Sequence, residues 1–104
     1  MALPKTTSGR AIGNQLVRCG TSVGANYRSA CRGRSKAEFI AKLGIVEEES
    51  DESEFWLELL IDGEIMKKEL VAPLLAEAGE LTAIFTSSIK SAKKNLKSQI
   101  QNPK

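Results

Sequence analysis

The sequence predicts an all-α fold, an antiparallel up-and-down helical bundle built from three long helices. Three observations point there. Apolar residues recur at steps of three and four along most of the chain, the spacing of one helix face. No stretch alternates apolar and polar residues at a period of two. A helix stop followed at once by a helix start stands at Cys31-Arg32-Gly33-Arg34-Ser35, and a second stop stands at Gly63.

The first helix is expected to follow a leading segment, residues 1–8, that contains Leu3-Pro4 and a Thr-Thr-Ser run. Thr7 or Ser8 can act as its N-cap, because a hydroxyl there accepts one of the orphan amides of the first turn. Ile12, Leu16, Cys19, Val23, Tyr27 and Ala30 then fall on one face. Gly13, Gly20 and Gly24 each cost about 1 kcal/mol against alanine inside a helix. They are read as a face for close approach of a neighbour rather than as breaks. Gly33 suits the left-handed position after a helix end.

Ser35, followed three residues later by Glu38, reads as a capping box that opens the second helix. Its stripe is Phe39, Leu43, Val46, Ser50, Ser53, Leu57 and Leu60, widened by Ile40, Phe55, Trp56, Leu59 and Ile61. Gly63 ends it after roughly 27 residues, or about 40 Å. Its middle, Glu47-Glu48-Glu49-Ser50-Asp51-Glu52-Ser53-Glu54, has no apolar residue. Ser50 and Ser53 stand where aliphatic side chains are expected, so a polar layer crosses the bundle or small side chains pack closely there. Such a layer can fix register at a cost in stability.

The segment Glu64–Val71 can form a further turn or two. Pro73 fits the first turn of a third helix, where its missing N–H costs nothing. Leu74, Ala78, Leu81, Phe85, Ser88, Ala92 and Leu96 make its stripe, flanked by Leu75, Ile84 and Ile89. Lys90, Lys93, Lys94 and Lys97 gather near its C-terminal end, where cations favour the helix dipole. Residues 98–104 are read as a fraying tail, and 1–104 as a single domain.

Composition narrows the function. With 104 residues, no histidine and five aromatic residues, the chain lacks the commonest general base and the commonest zinc ligand. No enzymatic activity, cofactor or metal is expected. Glu47, Glu48, Glu49, Asp51, Glu52, Glu54 and Glu58 could suggest a divalent ion, but di-iron bundles use Glu-x-x-His ligands. Cys19 and Cys31 lie about 18 Å apart along one helix, beyond the reach of a disulfide. Two reduced thiols, no signal-like N-terminus and no run of about 18 apolar residues point to a cytoplasmic protein that does not span a membrane.

The net charge of +2 hides three blocks. Residues 1–44 carry +7, residues 45–81 carry −10 and residues 82–104 carry +5. An acidic middle helix between two basic ones is attracted to both, and that alone can account for the pattern. The other reading is that the basic residues meet phosphate. Arg28, Arg32, Arg34 and Lys36 cluster around the first turn, and a helix start offers amides to an anion. With aromatics scarce, such binding would address the RNA or DNA backbone and be salt-sensitive. Gln15, Arg18, Ser22 and Asn26 form a polar ridge beside the apolar stripe. It suits a network between helices or subunits better than a small-molecule contact or catalysis by Ser22, since no base stands near.

Gln15, Arg18, Ser22-Val23, Asn26, Arg34-Ser35 and Glu38-Phe39 form a spaced pattern. With the strings Gly20-Thr21-Ser22-Val23-Gly24-Ala25-Asn26-Tyr27-Arg28 and Ala41-Lys42-Leu43-Gly44-Ile45-Val46-Glu47-Glu48-Glu49, it resembles the small bacterial four-helix-bundle proteins named for reading frames in intervening sequences of 23S rRNA genes. The resemblance implies an antiparallel bundle similar to known homopentamers. It is similar, more distantly, to the basic pentameric accessory proteins of diversity-generating retroelements, which associate with nucleic acid and a reverse transcriptase. It implies no catalysis. Two departures stand out. Leu3-Pro4 follows the initiator directly, so the family's additional first helix looks absent, and Ser29 stands where many relatives carry glutamate. The expectation is a homo-oligomer that binds RNA or DNA, or one that binds a protein partner with its charges used only for subunit pairing.

Overall fold

A computed structural model describes residues 2–101. Three helices account for most of them: α1 (Thr7–Cys31), α2 (Lys36–Asp62) and α3 (Lys68–Gln101), with no strand among the described residues. They run up, down and up in an elongated body of 59 × 20 × 15 Å. The expected all-α antiparallel bundle is what the chain forms. α2 is the central element, because α1 and α3 both pack on it and their backbones do not meet each other.

The helix ends refine the expected boundaries. Thr6, not Thr7 or Ser8, caps α1, and its hydroxyl accepts the Gly9 amide at 3.0 Å. A side chain at Gly9 would run into the Pro4 carbonyl, so the glycine lets the Leu3-Pro4 segment fold back on the first turn. Gly33 does not adopt the left-handed conformation; its amide donates to the Ala30 carbonyl in a tight turn at 3.0 Å. The left-handed residue is instead Glu64, with φ 53°, one residue past Gly63. It lets the Ile65 and Met66 amides reach back to the Leu60 carbonyl and close the end of α2.

At Ser35 the capping box forms, with the hydroxyl accepting the Glu38 amide at 3.1 Å. The Glu38 carboxylate accepts from the Arg34 amide rather than from that of Ser35.

α3 begins at Lys68, so Pro73 lies inside the helix and not in its first turn. Val71, fully buried against Leu57 and Leu60, starts the helix earlier than the proline rule suggests. Pro73 is exposed and deprives only the Glu69 carbonyl of its helical donor. The helix runs on through residues 98–101, which the sequence reading assigned to a tail; positions 102–104 of that tail lie outside the described residues.

The core falls into two clusters. One end holds Ala30, Leu43, Val46, Phe85 and Ile89. The other holds Ile12, Leu57, Leu60 and Val71, with Leu16, Trp56 and Leu75 packed against them. Four expected stripe members lie outside this core: Tyr27, Phe55, Leu74 and Leu81 are exposed. In α3 the buried line is Val71, Phe85 and Ile89, so the stripe is rotated from the one expected. Leu70, Leu74, Leu81 and Ile84 form a second, exposed apolar line. These two lines explain why α3, alone among the described helices, is long and apolar enough by length and composition to cross a membrane, at a mean hydropathy of 1.3.

Candidate functional site

Between the two apolar clusters lies a polar layer on both sides of α2. Toward α1, Arg18 is the centre. Its Nε donates to Gln15 Oε1 at 2.9 Å, and its guanidinium pairs with Glu49 at 3.0 Å and with Glu52. Glu52 also accepts from the Trp56 indole at 3.0 Å and from the buried Cys19 thiol at 3.0 Å. Toward α3, Ser50 and Thr82 share a hydrogen bond of 2.8 Å, Thr82 reaches Glu54 at 2.7 Å, and Thr86 donates to Glu47.

The polar layer read from the acidic run is therefore present. Ser50 belongs to it, whereas Ser53 turns back to the Glu49 carbonyl. Its α3 members, Thr82 and Thr86, were not foreseen. Their signal is weak: two threonines four residues apart on a helix, opposite an acidic stretch.

The ridge Gln15, Arg18, Ser22 and Asn26 divides. Gln15 and Arg18 form the pair that crosses to α2. Asn26 donates to the Ser22 carbonyl at 2.9 Å and to its hydroxyl at 3.1 Å, so those two residues satisfy each other within α1.

Cys19 Sγ and the carboxylates of Glu49 and Glu52 lie within 4.8 Å of one another, a spacing that suits a metal ion. The electrostatics oppose that use. The Arg18 guanidinium already bridges both carboxylates as their cation. Burial, reinforced by Glu49 and only partly offset by Arg18, pushes the Cys19 thiol up, away from the thiolate that a metal needs.

Two outcomes follow from the buried thiol. In the native protein one cysteine, the exposed Cys31, is expected to react quickly with a thiol reagent. Cys19 should react only on unfolding. Equal fast labelling of both would contradict the burial. The folded pKa of Cys19 lies above its unfolded value, so its contribution to stability is complete below about pH 8.5. That contribution is lost as pH rises from there through the folded value, and the loss should be absent from Cys19→Ala in urea titrations across that range.

The basic residues surround the α1–α2 turn. Arg28 and Arg32, one helical turn apart, line a cleft of about 510 Å³ with Ala25, Ser29 and Glu38. Arg34 stands in the turn itself. Lys36 does not share that cleft; it lines a groove against α3 with Phe39, Ser88 and Asn95. Among the described residues the ion pairs are those of Arg18, and none involves Arg28, Arg32, Arg34 or Lys36. The start of α2 is not itself an anion site, as the sequence reading had it. Ser35 already takes the Glu38 amide, and the Glu38 carboxylate places negative charge there. Tyr27, expected in the core, is half exposed, and its ring meets that of Phe85 at 5.9 Å across a groove between α1 and α3. Its hydroxyl is held above its ordinary pKa by its hydrogen bond to Cys31.

An elongated antiparallel bundle with a polar layer between two apolar clusters, and with cations around its first turn, defines a small helical-bundle protein. The chain belongs to the 23S rRNA-intervening sequence protein family, whose sequence profile matches residues 2–87. It is similar to a Bacteroides thetaiotaomicron protein of unknown function from the S23 ribosomal protein family, known from a crystal structure. The two are 40% identical with a TM-score of 0.72, over 76% of this chain and 70% of that one. None of the curated proteins matches the chain.

Proposed function

We propose that the protein is a non-enzymatic, self-associating cytoplasmic helical bundle that binds the RNA or DNA backbone through Arg28, Arg32, Arg34 and Lys36. The observation that carries this reading is four cations around one turn, with no ion pair among the described residues to neutralise them. Guanidinium groups suit bidentate phosphate contact. The one carboxylate among them, Glu38, is turned to the Arg34 amide. Expected binding is weakly sequence-specific, because Tyr27 and Phe39 are the only aromatic residues near the turn among the described residues, too few to stack a run of bases. The names of the family and of the similar protein, which refer to rRNA and the ribosome, agree with a nucleic-acid setting.

Fluorescence anisotropy with a mixed-sequence single-stranded RNA tests it. Four phosphate contacts predict a slope of about −3 in log affinity against log salt, and each cation removed should reduce it by about 0.7. Arg28→Ala combined with Arg32→Ala should weaken binding at low salt and flatten the slope. No binding at low salt, or binding that this double variant leaves unchanged, refutes the reading.

The second reading, charges used only for pairing between helices or subunits with a protein as partner, is favoured by one observation. Arg18 does spend its charge that way, on Glu49 and Glu52. It predicts the same assembly with no response to RNA.

A further inference from the structure

We infer that the nucleic acid met by the basic turn is a single strand of RNA, and that it continues past the turn into the groove between α2 and α3. There Lys36, Ser91 and Asn95 hold the sugar and phosphate, and Lys90, Lys94 and Lys97 take the next phosphates. This inference rests on the nucleic-acid reading above and adds to it a path and a ligand class.

The up-down-up order places the start of α2 beside the C-terminal half of α3, where Leu43 and Val46 pack with Phe85 and Ile89. The lysines of α3 therefore lie at the same end of the rod as Arg28, Arg32 and Arg34. Lys90, Lys94 and Lys97 are exposed and stand at i, i+4 and i+7, so they share one helix face. Among the described residues none of them has an ion-pair partner. The helix dipole does not account for them, because its pull on cations fades within the last turn. Lys94 and Lys90 lie about two and three turns before the end of α3 at Gln101.

The groove beside this stripe has a volume of about 450 Å³. Lys36 and Phe39 line it from α2, and Ser88, Ser91 and Asn95 line it from α3, with no carboxylate among the lining residues. Further back on α3, Thr82 and Thr86 spend their hydroxyls on Glu54 and Glu47. The acidic run of α2 begins at Glu47, so beyond Thr86 the polar groups of α3 face Lys36 and Phe39 instead. A serine hydroxyl and an asparagine amide each donate and accept hydrogen bonds, and so does the ribose 2′-hydroxyl that DNA lacks. Phe39, half-buried, gives one base an apolar face. Packed helices have axes about 8–10 Å apart, so a groove between two of them admits one strand and not a duplex. Lys36 is both a cation of the turn and a wall of this groove, which makes the path continuous.

Fluorescence anisotropy on the full chain tests it, with a mixed-sequence single-stranded RNA, the DNA of the same sequence and the RNA duplex. Seven cations predict a slope of about −5 in log affinity against log salt, where the four of the turn alone give about −3. The triple variant Lys90→Ala, Lys94→Ala, Lys97→Ala should return the slope to about −3 and weaken low-salt binding by roughly ten-fold. Wild type should prefer the RNA strand to both the DNA and the duplex. Ser91→Ala combined with Asn95→Ala should keep the slope and bring the RNA-to-DNA ratio toward one. All five side chains are exposed, so helical circular dichroism should not change. Lys67→Ala with Lys68→Ala, at the opposite end of the rod, controls for lost net charge and should leave the slope in place. A slope that the triple variant does not alter, or that the control variant flattens equally, overturns the path. Equal affinity for RNA and DNA, or for strand and duplex, overturns the ligand class. In each case a loss of binding in Arg28→Ala with Arg32→Ala keeps the reading at the turn standing. No binding of any of the three nucleic acids at low salt overturns both.

Discussion

Leu60→Ala is expected to destabilise the protein by about 2–5 kcal/mol, the range for truncating a buried leucine. Leu60 is fully buried, in the cluster with Ile12, Leu57 and Val71 where all three helices meet. The body is narrow, 20 × 15 Å in cross-section, so each apolar cluster is a few side chains deep. Few neighbours can move in to fill the space, which places the cost toward the upper part of the range. For a domain of this size 1 kcal/mol corresponds to roughly 4–8 °C, so the melting temperature should fall by on the order of 10–30 °C. Ile100→Ala, at a site 70% exposed, should stay within about 0.5 kcal/mol. Urea unfolding of both variants decides it: a loss below about 1 kcal/mol at Leu60 would mean that the cluster of Ile12, Leu57, Leu60 and Val71 does not hold the bundle.

Much of the fold is legible in local sequence because its signals are local. Ser35 and Glu38 mark the start of α2, and Gly63 marks its end, through bonds between residues close in the chain. The run from Glu47 to Glu54 announces a polar layer because no helix can hide eight polar residues on a buried face. The errors arise where partners decide. Tyr27 and Leu81 keep the three-and-four spacing, and Phe55 was expected to widen the stripe of α2, yet a spacing does not say which of two apolar faces is covered. α3 carries two apolar lines, and periodicity alone weights them equally. Val71 settled the choice by packing on Leu57 and Leu60, contacts between residues distant in sequence. Pro73 was misplaced for the same reason, since tertiary burial at Val71 outweighed the preference of proline for a first turn.

The charge blocks separate into two uses on the same ground. Arg18 lies opposite Glu49 and Glu52 because α1 and α2 are antiparallel, so its charge is absorbed inside the molecule. Arg28, Arg32 and Arg34 lie at and beyond the end of α1, level with the start of α2, where the acidic run has not yet begun. The same attraction between blocks cannot reach them. A partner outside the chain is what they can meet, whether phosphate or an acidic face of a second copy. The salt slope with RNA separates these, because arginines that meet only an acidic face of a second copy would give no response to RNA.

The polar layer itself yields the remaining large effect, at Ser50. This side chain is 4% exposed and occupies a position where the stripe calls for an aliphatic residue. Thr82 has one hydroxyl proton and three oxygen neighbours: Ser50 at 2.8 Å, Glu54 at 2.7 Å and the Ala78 carbonyl at 2.9 Å. The carboxylate is the strongest acceptor among them. Thr82 therefore donates to Glu54, and Ser50 donates to Thr82. Ser50→Ala removes the terminal donor of this chain and leaves Thr82 satisfied, so it should cost about 1 kcal/mol. Ser50→Leu adds bulk where α2 and α3 are already in hydrogen-bond contact and should cost about 1–3 kcal/mol through overpacking. If the layer were a misplaced gap in the core, leucine would instead stabilise the protein. A double-mutant cycle of Ser50→Ala with Thr82→Val isolates the shared bond, and the two losses should fall short of additivity by about 0.5 kcal/mol or more. Strict additivity would mean that Ser50 and Thr82 do not act as one unit. In that case the register of α3 on α2 would be set by Phe85, Ile89 and Val71 alone.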